Sequence, residues 1–72
     1  MITKKKLSDY GVIVGNEEVD VLDNPEDGAP KVCQLHPGRT VRLLSKPNKK
    51  YLGIGVTKAV MGFVLKENVE EV

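Results

Sequence analysis

The chain has 72 residues, 40% of them hydrophobic and none of them tryptophan, so it holds one domain with a thin core. Its net charge of +1 names no partner, and its only cysteine, Cys33, excludes an intramolecular disulfide. No stretch approaches the roughly 18 apolar residues of a membrane span, which excludes a spanning helix.

Residues 1–9 are polar and read as a loose start. The cluster Lys4-Lys5-Lys6 has no apolar stretch behind it, so it is not a secretory signal, and a reducing cytoplasm is the expected setting. Tyr10 to Gly15 is an apolar run between glycines and reads as a short strand, with Gly15-Asn16 as the turn after it. Val19 to Asn24 alternates as a strand, and Pro25 ends it. Asp23 to Pro30 is the longest loop, because Pro presets φ and Gly admits positive φ.

Lys31 to Leu35 is the next strand, stopped by Pro37-Gly38. Val41 to Leu44 follows, and Ser45-Lys46-Pro47-Asn48 is a turn with Pro at its second position. Tyr51 to Val56 puts Leu52, Ile54 and Val56 on one face and Tyr51, Gly53 and Gly55 on the other. Two glycines on one face leave a gap that a bulky side chain or another backbone can fill. Gly62-Phe63-Val64 is the last expected strand, with at most one helical turn near Glu67. The expected architecture is all-β, a small closed barrel of five or six short strands. Its expected core is Val21, Val32, Leu35, Val41, Leu43, Leu52, Ile54, Val56, Phe63 and Val64.

Charge is segregated along the chain. Residues 9–27 carry seven acids and no base, and residues 28–66 carry eight bases and no acid. The bases Arg39, Arg42, Lys46, Lys49 and Lys50, with Tyr51, form the candidate binding surface, and Lys58 extends the block. Tyr51 is the only aromatic residue within that block. The Asp23–Pro30 loop and the Ser45–Lys50 turn are the expected lips of one mouth of the barrel. One is acidic and the other basic, so they can bind each other or a charged peptide.

Chemistry beyond binding is not signalled. Cys33 and His36 lack the further ligands that a zinc site needs, so Cys33 reads as a small buried residue and His36 as a turn residue. Counted as a calcium loop from Asp23, the third position is Pro25 and the twelfth is Gln34, neither of which fits. Ser8 and Ser45 have no base and orienting carboxylate near them in sequence, and no glycine loop opens a helix. The expectation is a non-enzyme without cofactor or metal.

The order of the landmarks resembles the bacterial Src-homology-3-like family over about residues 19–70. In that family a strand of Leu-x-Val-Arg type enters a Gly/Pro loop, here Val19-Asp20-Val21-Leu22-Asp23-Asn24-Pro25. A strand ending in Leu, two residues, Gly and an alternating strand follow, here Leu35-His36-Pro37-Gly38 and Thr40 to Leu43. An aromatic-led strand and a Gly-Trp-Val segment with a closing turn complete it. Here these are Tyr51 to Val56, and Gly62-Phe63-Val64 with Lys66 to Val69. Tyr51 and Phe63 stand where that family commonly has tryptophan. The resemblance implies a non-catalytic module that contacts a protein, a peptide or a cell-wall peptide. Pro37 to Ser45, with Gly53 to Val56, also looks like the KOW-type motif of ribosomal and transcription-associated barrels. That likeness implies nucleic-acid contact through Arg39 to Lys58.

Overall fold

The computed structural model describes residues 9–72. Seven strands run in chain order: β1 (Tyr10–Ile13), β2 (Val19–Leu22), β3 (Lys31–Leu35), β4 (Thr40–Ser45), β5 (Tyr51–Gly55), β6 (Met61–Leu65) and β7 (Val69–Glu71). A single 3-10 turn, Lys66–Asn68, links β6 to β7. The protein is all-β, as its alternating pattern requires. The six expected strands are present, and β7 adds a seventh after the expected closing turn. Among the described residues no helix is long and apolar enough to cross a membrane.

The strands form one antiparallel sheet in the order β3-β2-β6-β5-β4-β1-β7. Leu35 of β3 and Ile13 of β1 stand far apart in that order, yet both belong to one buried cluster. The sheet therefore curls until its two ends share a core. The peptide at Pro37-Gly38 fastens this curl: Gly38 N–H donates to the Ile13 carbonyl at 2.6 Å, and Ile13 N–H donates to the Arg39 carbonyl at 2.9 Å. Gly38 has φ of 95°, which L side chains rarely adopt, and Arg39 N–H closes the turn on the His36 carbonyl at 3.2 Å.

The core is Ile13, Val19, Val21, Leu35, Val41, Ile54 and Val64, with Tyr51 and Leu52 also buried. Cys33, Leu43 and Val56 are half-buried against it. Four of the expected core residues need correction. Val32 is 42% exposed, because Leu35 and Cys33 already fix the inward face of β3 and strand parity sends Val32 outward. Leu43 and Val56 contribute only at the margin of the core. Phe63 is half-buried rather than central. It lies over Gly53, where an added Cβ would stand 3.2 Å from its Cε1, and Ser45 Oγ covers the same glycine.

The second glycine of β5 is filled in the same way. A Cβ on Gly55 would stand 2.6 Å from Arg42 Nη2, so the guanidinium lies across that position. The gap expected at Gly53 and Gly55 is thus occupied by the protein's own side chains. The looseness expected of residues 1–9 lies, for residues 1–8, outside the described residues. Asp9 is anchored, since its carbonyl accepts the Leu43 N–H at 2.8 Å.

Candidate functional site

The two expected lips close on each other. Asn48, in the turn between β4 and β5, organises one of them: its Oδ1 accepts the backbone N–H of Lys50 at 3.0 Å and of Tyr51 at 2.9 Å. This is the local bonding for which Asn is favoured in turns. Its Nδ2 then donates across the mouth to the Pro25 carbonyl at 3.0 Å. Lys50 Nζ donates to both carboxylate oxygens of Asp27, each at 2.8 Å. Tyr51 Oη donates to Asp27 Oδ1. Asp27 thereby ties the acidic loop to Lys50 and to the first residue of β5, Tyr51.

The clasp explains the burial of Tyr51. The β5 pleat puts Tyr51 on the face opposite Leu52 and Ile54. The Asp27 loop folds over that face and leaves the residue 4% exposed. Tyr51 is therefore a wall of the site held from behind, not a free stacking surface. Lys50 Nζ also stands 5.8 Å from its ring centroid, within cation–π range.

Beside the clasp lies a groove of about 430 Å³ between the β2–β3 hairpin and the closing 3-10 turn. Leu22, Ala29 and Leu65 give it an apolar lining, with Tyr51 at its wall. Glu18, Asp20 and Asp27 supply three carboxylates; Lys31, in the groove, stands by Asp20, and Lys50, outside it, is held on Asp27. Asp20 is oriented by Gln34 Nε2 at 2.7 Å and by Lys31 Nζ at 3.6 Å. Glu18 meets His36 Nε2 at 3.3 Å. These pairs are exposed and worth little to stability, so a competing cationic ligand displaces them at little cost.

The expected binding residues do not form one surface. Lys50 and Tyr51 serve the clasp. Lys46 reaches Glu71 at 4.0 Å. Lys49 shares a shallow groove with Lys50, Lys66 and Glu67, and has no ion pair among the described residues. Arg39 and Arg42 go elsewhere, to the turn after β5. Arg39 Nη2 donates to the Val56 carbonyl at 3.4 Å, and Arg42 Nη2 to the Thr57 carbonyl at 2.8 Å. The sequence reading missed Glu18 and Asp20 as groove residues. Their signal was the acidic run before Asp27, which marked a charged surface but not which of its carboxylates share a cleft.

Among the described residues no group of three or more His, Cys, Asp or Glu side chains could hold a metal ion. Cys33 is half-buried against the core, and exposed His36 pairs with Glu18.

The clasp has a defined pH range. Hydrogen bonds from Lys50 and then Tyr51, with the attraction of the ammonium, hold the Asp27 carboxyl below its ordinary value. The hydrogen bond to Asp27 raises Lys50, and the same carboxylate followed by burial raises Tyr51. A lowered carboxylate contributes fully above its unfolded value of about 3.9, and that contribution is lost as pH falls through the lower folded value. The raised Tyr51 contributes fully below about pH 10, and its contribution is lost as pH rises through the higher folded value. Lys50 follows the same alkaline direction. Asp27→Asn should therefore melt at a lower temperature than wild type by a constant margin from about pH 5 to 9. The two melting curves should converge at both extremes of pH. Equal melting temperatures at pH 7 would show that the clasp contributes nothing.

Compared with family models, with curated proteins and with solved structures, the chain gives no match.

Proposed function

We propose that the chain is a non-catalytic binding module of Src-homology-3-like type that takes an extended, basic peptide segment in the groove beside the clasp. The observation that carries this reading is the groove's composition: apolar Leu22, Ala29, Leu65 and Tyr51 line it together with the carboxylates of Glu18, Asp20 and Asp27. An apolar lining accepts side chains, and placed charges fix their order and register. The clasp supports the reading because it sets the groove wall before any ligand arrives, which lowers the cost of ordering on binding. A nucleic-acid strand is disfavoured here, since three carboxylates would face its phosphates.

The resemblance to the Src-homology-3-like family is consistent with the topology. A long β2–β3 hairpin follows the first strand, β4-β5-β6 form a meander, and one closing turn leads into a last strand paired with β1. The test is a fluorescence-polarisation titration with a labelled peptide that alternates lysine and leucine. Replacing Glu18 by Gln and Asp20 by Asn together should weaken binding about tenfold and flatten its salt dependence. Unchanged affinity in that double variant, with the fold intact, would remove the groove from consideration.

A further inference from the structure

One row across the sheet lies outside the residues that line the groove. Strand register aligns four residues across four strands: Tyr10 of β1 faces Arg42 of β4, Arg42 faces Gly55 of β5, and Gly55 faces Met61 of β6. Residues paired in register point to the same side of a sheet. Tyr10 is 52% exposed and Met61 is 59% exposed, so the row is open to solvent at both ends. Between them the Arg42 guanidinium lies over Gly55, in the space a side chain would take.

Arg39 joins Arg42 of this row at the turn after β5, and that turn carries Lys58. Arg42 and Arg39 donate to the carbonyls of consecutive residues, Thr57 and Val56. Lys58 is the next residue of the same exposed turn. Each arginine spends one donor on a carbonyl and keeps others free. Among the described residues, none of the three has an acidic partner. The carbonyls hold the guanidiniums in place without cancelling their charge.

We propose that Arg39, Arg42 and Lys58, with Tyr10, form a binding surface for single-stranded nucleic acid. The cations take phosphates, and Tyr10 with the flat Arg42 guanidinium offers surfaces on which bases stack. Base stacking on aromatic and arginine planes beside a basic track is how single strands are held without sequence preference. The aromatic component could not be read from the sequence. Tyr51, the one aromatic inside the basic block, is buried in the clasp, and Tyr10 reaches the block only through the β1–β4 register. A duplex is not favoured, since stacking needs unpaired bases. This surface is separate from the peptide groove, so either reading can fail without the other.

The test is fluorescence anisotropy of a labelled oligothymidylate of about eight nucleotides with the full chain, from about 20 to 200 mM salt. The log–log slope should be near −0.7 per phosphate contacted. Arg39→Gln with Lys58→Gln should weaken binding and reduce that slope by about 1.4. Neither side chain is in the core, and a thermal melt confirms the fold. Tyr10→Ala should weaken binding about fivefold or more without changing the slope. Lys46→Gln with Lys49→Gln should change little. No binding at the lowest salt would overturn the proposal. So would affinity indifferent to the Arg39/Lys58 double variant and to Tyr10→Ala. Equal competition by a polyaspartate peptide would reduce the surface to a general anion attractor and would also overturn it.

Discussion

Ile54→Ala should leave the protein largely unfolded at room temperature. Ile54 has no solvent exposure and belongs to the single buried cluster. It sits in β5, at the centre of the sheet order, and pairs with Leu43 on one side and Gly62 on the other. Truncating a buried Ile to Ala costs about 2–5 kcal/mol, through lost transfer energy and the cavity left behind. A domain of this size rarely has more than about 3–5 kcal/mol to lose. Urea denaturation monitored by far-ultraviolet circular dichroism should show no folded baseline for the variant. A sharp transition within about 1 kcal/mol of wild type would mean that the core is not concentrated where the structure places it.

Gly62→Ala should open the barrel at one seam. A Cβ at that position would stand 2.6 Å from Val21 Cγ1 and 2.7 Å from the Leu22 carbonyl oxygen. The carbonyl is backbone and cannot rotate away, so β2 must move. The ladder between β2 and β6 is only the pair Leu22 and Phe63, the shortest contact in the sheet. The cost should be about 1–3 kcal/mol, the usual range for overpacking. Amide exchange should accelerate at Leu22 and Phe63 more than along the β4–β5 ladder. Uniform acceleration, or none, would show that this glycine does not hold the seam.

Six of the strands were legible because alternation and turn chemistry agree at each of them. The β4–β5 and β3–β4 junctions announce themselves with Pro47-Asn48 and Pro37-Gly38. β7 was not legible: Val69-Glu70-Glu71 has one apolar residue, and its conformation comes from pairing with β1. Val32 misled because it is β-branched and apolar, while strand parity had already given the inward face to Cys33 and Leu35. Tyr51 misled in the other direction. Its pleat lies opposite Leu52 and Ile54, and the Asp27 loop, bonded to its hydroxyl, covers it.

The candidate site was legible in part for the same physical reason. An acidic loop and a basic turn can be foreseen to meet, and Asp27 with Lys50 do so. Which lysine makes the contact depends on backbone direction at a turn, which charge alone does not encode. The division of the basic block into a clasp end and an Arg39–Arg42 end depends on register. So does the approach of Tyr10 to Arg42.

We propose the groove between the β2–β3 hairpin and the closing turn as the peptide-binding surface. Amide chemical-shift mapping by NMR, during titration with the lysine–leucine peptide, tests it most directly. Binding in the groove should shift Glu18, Asp20, Leu22, Leu65 and Asn68, which line it, and leave Tyr10, Arg42 and Lys58 in place. Shifts confined to the Tyr10–Arg42–Met61 face, with the groove amides unmoved, would show that the peptide binds elsewhere.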